Sequence, residues 1–181
     1  MIIPLFIAQI EDVEDRELLI EYYTQYRFTL LHVARSMLHD YGLAEDAVQE
    51  AFLRLTKNIK RVRPNPNEVR SFLVTITRNT ARDVLKKQKP TVSWDDLVCE
   101  PADSSVSVED AVTQADTLER LAQTLPLIYS SVFLLKYKHD CSDQTISALL
   151  DISEATVRKR LQRTKEKITE EVREKEVVYS A

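Results

Sequence analysis

A single glycine, Gly42, serves all 181 residues. Phosphate-cradling loops of the Rossmann and P-loop kinds need several glycines within a few positions, so nucleotide-binding α/β folds are strongly disfavoured. Cysteine is almost as scarce: Cys99 and Cys141 stand 42 positions apart, with no C-x-x-C pair, beside only three histidines, His32, His39 and His139. That spacing argues against a structural zinc site or a disulfide scaffold and fits a reducing compartment. No stretch reaches the run of about 18 apolar residues that a membrane span needs. The amino-terminal MIIPLFIAQI is apolar, but it passes straight into EDVEDRE with no basic segment and no small-residue cleavage site. These absences point to a soluble, cytoplasmic protein without membrane insertion. Six prolines and a hydrophobic content of 44% leave room for a sizeable core, and nothing marks the whole chain as disordered.

Charge, by contrast, is abundant and unevenly spread. The formal net charge is -4, yet residues 1–50 carry 3 basic and 10 acidic groups, and residues 51–90 carry 11 basic and 2 acidic. Residues 91–125 return to 1 basic against 8 acidic, and within the nearly balanced remainder the stretch 153–168 holds 6 basic and 2 acidic. Two basic patches separated by acidic surface suit a polyanion docking at two places. Solvated helix faces would produce the same counts.

Apolar periodicity predicts an all-α chain of two small helical domains joined by a flexible linker. Leu18, Leu19, Tyr22, Tyr23, Tyr26, Leu30, Val33, Ala34 and Met37 share one face of a long helix over 12–38, with a break allowed near Arg27. Asp40, Tyr41 and Gly42 read as a turn, and Ala44 to Ile59 resumes the period at Ala47, Val48, Ala51, Phe52 and Leu55. Pro64 and Pro66 interrupt the helix, because proline lacks the amide donor and restricts its predecessor. A further helix is expected from Asn67 or Glu68 to about Lys87, with Val69, Phe72, Leu73, Ile76 and Val84 inward. The domains are then 1–90 and 113–175, with a Ser-, Asp- and Pro-rich linker over 91–112 and a tail over 176–181. In the second domain a helix through Leu118, Leu121 and Leu125 is followed by one opening at Pro126 and a polar turn from Lys138 to Cys141. Ser142 and Ser153 read as N-caps of two consecutive helices, 143–150 and 153 to about 173. The short connection at Asp151 and Ile152, with Ile146, Leu149, Ile152 and Val157 inward, makes this pair a helix-turn-helix candidate.

The last helix carries an inward stripe of Val157, Leu161, Thr164 and Ile168, which leaves Arg158, Lys159, Gln162 and Arg163 on the other side. Long donors on one helix face can reach base edges in a major groove. A solvated basic face is the alternative reading of the same residues.

The segments LAEDAVQEAFLRLTK at 43–57 and VRSFLVTITRNTARDVLKK at 69–87 resemble conserved regions two-point-two to two-point-four of extracytoplasmic-function sigma factors, a subfamily of the sigma-70 family. LPLIYSSVFLLKYKHDCSDQTISALLDISEATVRKRLQRTKEKI at 125–168 resembles region four of the same proteins. The resemblance implies a transcription-initiation specificity subunit, without catalytic residues, metal or cofactor, whose partners are core RNA polymerase and promoter DNA. An anti-sigma factor is a further partner it admits. It implies core polymerase contacts through Asp46, Gln49, Glu50 and Leu53. It implies minus-ten DNA contacts through Arg61, Arg63, Asn65, Asn67, Arg78, Asn79, Arg82 and Lys86. Minus-thirty-five contacts would come from Ser153, Thr156, Arg158, Lys159, Gln162 and Arg163. Asp83, four residues after Asn79, reads as a hydrogen-bond partner for it.

The chain departs from the family pattern in two places. Val74, Thr75 and Thr77 stand where an aromatic residue, an arginine and an alanine are common, leaving fewer groups for melting DNA. Thr145 and Asp151 replace the usual glutamate and turn glycine of region four; aspartate tolerates the left-handed backbone a turn needs.

Two other function classes compete. A stand-alone helix-turn-helix regulator would need only residues 115–175 and would leave AEDAVQEAF and ITRNTARDVL unexplained. A small all-α enzyme would need a nucleophile, base and orienting group, and no such set is evident.

If 92–108 is a tether, limited proteolysis of the free chain should cut there first and release two stable helical fragments. Protection of that segment with cleavage elsewhere would overturn the two-domain division.

Overall fold

The computed structural model describes residues 4–8, 10–62, 65–87 and 114–179, all of its regular elements being helical. The chain divides into two compact units between Val92 and Ser93. The expected linker, 91–112, lies outside the described residues.

The first unit contains α1 (Leu5–Ala8), α2 (Val13–Leu38), α3 (Tyr41–Val62) and α4 (Pro66–Lys87). The three long helices each pack against the other two. Leu19, Tyr26, Leu30 and Val33 of α2 meet Val48, Phe52 and Leu55 of α3 and Val69, Leu73 and Val74 of α4, all of them buried. Tyr23 and Phe52 contact each other with ring centroids 5.0 Å apart, at a tilt of 59°. At the far end of α2, Ala34, Ala44, Ala47 and Ala81 form a cluster of small side chains with Leu38. Small residues there let three backbones approach closely, and Leu31, Met37, Val84 and Leu85 close over the gap.

Helix ends in this unit are made by polar side chains. Asp12 caps α2 by accepting the Asp15 N–H at 3.0 Å, and Glu14 and Asp15 face the positive end of its dipole. α2 runs unbroken through Arg27, since no proline or glycine interrupts it. The turn after it lies one step earlier than expected. His39, at φ 53°, adopts the left-handed conformation and returns its N–H to Arg35 O, and Asp40 Oδ1 accepts the Leu43 N–H at 2.8 Å. Tyr41 and Gly42 already belong to α3. α4 likewise starts early, at Pro66, because proline suits the first helical position, where no amide donor is required. Its inward stripe is Val69, Leu73, Val74, Thr77 and Ala81, whereas Phe72, Ile76 and Val84 are half-buried.

The second unit contains α5 (Gln114–Thr124), α6 (Leu127–Phe133), a wide π-type turn over Leu134–Lys138, α7 (Asp143–Leu150) and α8 (Glu154–Tyr179). Leu127, Val132, Phe133, Leu134, Leu135, Ile146, Leu149, Val157 and Leu161 form its core. In the wide turn the His139 N–H reaches Leu134 O at 3.2 Å and the Cys141 N–H reaches Leu135 O at 3.0 Å. Lys138 pairs with Glu119 of α5, tying the end of this turn to the start of the unit. α8 continues through Tyr179, so residues 176–179 extend the helix rather than forming a tail.

One buried titratable group gives the first unit a pH dependence. Burial, and secondarily the Arg35 guanidinium, lowers the pKa of His32 from 6.5 to about 4. Its ring lies 4.5 Å from that of Phe28. The folded state therefore holds the neutral ring, while the unfolded chain takes up the proton first. As pH falls from about 6.5 to about 4, His32 should withdraw roughly 3 kcal/mol of stability, at about 1.4 kcal/mol per pH unit. Urea unfolding at pH 7 and pH 4.5 should show this loss in the wild type and a smaller one in His32→Gln. Equal losses would place the dependence on other groups.

Candidate functional site

Four surfaces carry the residues singled out in the sequence. The first is the outer face of α3. Ala47, Val48, Ala51 and Phe52 are buried, which by helical period turns Asp46, Gln49 and Leu53 outward, all exposed, with Glu50 half-buried. Glu50 holds Arg54 one turn on at 2.6 Å. Leu53 is the apolar member of this face, with 37% of its surface accessible. Beside it, Glu45 accepts the Tyr41 hydroxyl at 3.1 Å and pairs with Arg27 of α2 at 3.5 Å, while the Arg35 guanidinium lies 5.5 Å from the centre of the Tyr41 ring.

The second surface is the turn into α4. Arg61 is exposed at the end of α3, and Arg63 lies outside the described residues. Asn65 caps α4: its Oδ1 accepts the Asn67 N–H at 3.1 Å, its Nδ2 donates to Glu68 at 3.2 Å, and its carbonyl takes the Glu68 and Val69 amides. Asn67 is exposed. Asn65 is thus committed to the helix start, and Asn67 is the residue of the pair that presents its side chain to solvent.

The third surface is the ridge of α4. Arg78 and Arg82 are half-buried and Lys86 is exposed, in register at every fourth residue. Arg78 Nη2 donates to Asn79 Oδ1 at 3.3 Å, so Asn79 is held by its neighbour rather than by Asp83. Two of the three departures from the family pattern turn out to face the core. Val74 and Thr77 are fully buried, and the Thr77 hydroxyl has no hydrogen-bond partner among the described residues. They bear on packing rather than on the groups available for melting DNA, whereas Thr75 is half-buried.

The fourth surface is the α7–α8 pair. Ser142 Oγ accepts the Thr145 N–H at 3.0 Å, and α7 ends at Asp151, left-handed at φ 56°. Ser147 then clasps the turn, donating its hydroxyl to Ile152 O at 2.6 Å and accepting the Ile152 N–H on its carbonyl at 3.2 Å. Ile152 itself is half-buried, less enclosed than Ile146 and Leu149. Ser153 Oγ accepts the Thr156 N–H at 3.1 Å and lies 2.8 Å from the Thr156 hydroxyl. Both residues therefore set the start of α8. Val157, Leu161 and Thr164 are buried, Ile168 is half-buried, and Arg158, Lys159, Gln162 and Arg163 are all exposed. Such an arrangement can lie in a groove of duplex DNA with its donors toward the base edges.

Two family models match the chain: Sigma-70 region 2 over residues 22–91, and Sigma-70, region 4 over residues 115–168. The chain belongs to the sigma-70 family. Its two-region architecture is that of the extracytoplasmic-function group, and among its relatives is the ECF RNA polymerase sigma factor SigW of Bacillus subtilis, 29% identical over 82% of this chain and 86% of its own length. The ECF RNA polymerase sigma factor SigM of the same organism is 28% identical over 82% of this chain and 91% of its own. The probable RNA polymerase sigma factor RfaY of Xanthomonas campestris pv. campestris is 32% identical over 80% of this chain, which spans only 38% of that relative's length. The chain is accordingly a promoter-specific RNA polymerase sigma factor.

This sigma factor also places near α8 several residues that no sequence motif marks. Lys136 and Tyr137 of the wide turn, Asp143 of α7, and Arg158, Gln162 and Lys165 of α8 line a cleft of about 320 Å³. Lys136 is bonded to Asp143 at 2.7 Å, and that hydrogen bond holds its pKa above the ordinary lysine value. Every candidate reading side chain except Lys159 is engaged with a carboxylate of its own helix: Arg158 with Glu154 at 3.5 Å, Gln162 and Arg163 with Glu166 at 3.0 and 3.2 Å. Charge spacing along the sequence could have shown these pairs, since they fall at three and four residues. The cleft could not have been foreseen, because it depends on where the wide turn carries Lys136. Among the described residues no group of three or more His, Cys, Asp and Glu could hold a metal ion, and no helix is long and apolar enough to cross a membrane.

Proposed function

We propose that the two units divide the work of initiation. The first docks on core RNA polymerase through Asp46, Gln49, Glu50 and Leu53 and engages minus-ten DNA through Arg61, Arg63, Asn65, Asn67, Arg78, Asn79, Arg82 and Lys86. The second reads the minus-thirty-five element through Arg158, Lys159, Gln162 and Arg163, with Ser153 and Thr156 at the helix start beside the phosphates. The chain acts in the cytoplasm as a specificity subunit and not as an enzyme. An anti-sigma factor that covers these faces would hold it inactive.

The observation that carries this reading is the exposure of all four long donors on one side of α8, opposite Val157, Leu161 and Thr164, directly after a capped helix and a tight turn. A second support is the charge contrast between α3 and α4. The exposed carboxylates of α3 suit a protein partner, and the cations of α4 suit a phosphate backbone.

Runoff transcription with purified core polymerase is the direct test, and two sets of variants locate the surfaces. Asp46→Lys with Glu50→Lys should abolish core binding while leaving the urea midpoint close to wild type. Unchanged affinity for core polymerase would mean that the docking face lies elsewhere.

In a promoter-library transcription assay, Arg158→Ala and Arg163→Ala should each relax preference at single base pairs by about 1 to 3 kcal/mol, since that is the worth of a bidentate base contact. Arg120→Ala should leave the preferred sequence unchanged. An even fall in activity with no change of preferred sequence in both α8 variants would assign these arginines to phosphates.

A further inference from the structure

The face of α8 that presents the long donors also presents a carboxylate at its centre. At about 100° per residue, Glu166 falls within roughly 20° of the line opposite Val157, Leu161 and Thr164, between Lys159 and Gln162 as seen down the axis. Both of its oxygens are in use. Oε1 accepts from Gln162 Nε2 at 3.0 Å, and Oε2 accepts from Arg163 Nη1 at 3.2 Å. Lys159 and Lys165, exposed on the same helix, make no ion pair among the described residues.

A carboxylate in this position has a defined effect on a polyanion. Base edges that donate to it are the amino groups of cytosine and adenine, and recognition helices reach bases mainly with their N-terminal residues. Glu166 stands three turns into α8, where the neighbouring DNA groups are phosphates. A phosphate that draws Arg163 away from Glu166 replaces one anion by another and leaves two anions side by side. A matched base edge replaces the lost bonds with neutral acceptors in fixed geometry and brings no such repulsion.

We propose that Glu166 is a specificity-determining residue, which by holding Gln162 and Arg163 widens the gap between matched and unmatched promoter elements. The proposal rests on the reading of α8 as the minus-thirty-five helix. Lys159 and Lys165 then supply attraction to any DNA, and the donors held by Glu166 are released only to a matching sequence. Specificity here comes from a repulsive element as much as from attractive ones.

The test uses holoenzyme assembled from the full chain and core RNA polymerase, with a duplex library randomised over the upstream promoter element. Wild type, Glu166→Gln and Glu170→Gln are compared for affinity to the best selected duplex and to the unselected pool. Exposed pairs at this spacing add little to helix stability, so both variants should unfold at the wild-type midpoint. Glu166→Gln should bind the pool several-fold more tightly and the selected duplex little more tightly, lowering the ratio by about threefold or more. Its salt dependence on the pool should steepen by about one unit of slope as Arg163 gains a phosphate. Glu170→Gln removes the same charge one turn further on, at an exposed residue with no bonded donor among the described residues, and should leave the ratio unchanged. Equal changes in the two variants, or an unchanged ratio in Glu166→Gln beside a selective wild type, would overturn the role of Glu166 alone. A wild type that enriches no upstream sequence would overturn the reading of α8 and this proposal with it.

Discussion

Satisfying the backbone at helix ends without glycine is the constraint on which this structure depends. Each helix exposes about four unpaired amides at its start and four carbonyls at its end, and Gly42, lying inside α3, relieves none of them. Asp12, Asp40, Asn65, Ser142 and Ser153 supply acceptors at five helix starts, each worth typically about 1 kcal/mol. His39, Asp140 and Asp151 take the left-handed conformations that glycine would ordinarily hold. Because a polar side chain fixes each turn from within, the helices leave it in defined directions. The donors of α8 inherit their orientation from Ser153 and Asp151.

The same constraint explains what could be read in advance. Ser142, Ser153 and Asp151 were legible as caps and turn because their roles are local, decided by neighbours two or three residues away. The inward stripes of α2, α3 and α8 were legible because burial repeats with the helical period. The turn between α2 and α3 is made by His39 and Asp40 rather than by Asp40, Tyr41 and Gly42, because a left-handed histidine carries no compositional mark of a turn. Residues of intermediate burial were the other difficulty. Phe72, Ile76, Val84 and Ile152 have core composition but lie at the margin of their packing faces, while Val74 and Thr77 sit inside. Hydrophobicity alone does not separate these two groups, because small helical domains have little interior and much rim.

Site residues divide along a similar line. Side chains that project from regular helices, such as Asp46, Gln49, Arg158 and Arg163, could be assigned to an outer face from period alone. Those at helix boundaries, Asn65, Ser153 and Thr156, have their side-chain atoms bonded to their own backbone or to each other, so any contact with DNA shares atoms already in use. The cleft beside α8 was not legible, since Lys136 reaches it through the wide turn after α6, and no periodic pattern announces a turn of that kind.

That wide turn has a consequence for the heredity of the fold. A π turn accommodates one residue more than the α-helix it interrupts, so Leu134–Lys138 behaves as an insertion that packing has absorbed. Loss of one residue within it would restore ordinary helical pairing and leave the chain beyond it close to its present angle, because the wide turn already takes up the rotation of about 100° that an extra residue brings. Leu134 and Leu135 at its start are fully buried and Lys138 at its end pairs with Glu119, so both ends of the turn are anchored. Chain length and the angular setting of the recognition helix are thus partly uncoupled at this point. Descendants of the chain can lose or regain a residue here and keep the direction in which the exposed donors of α8 point.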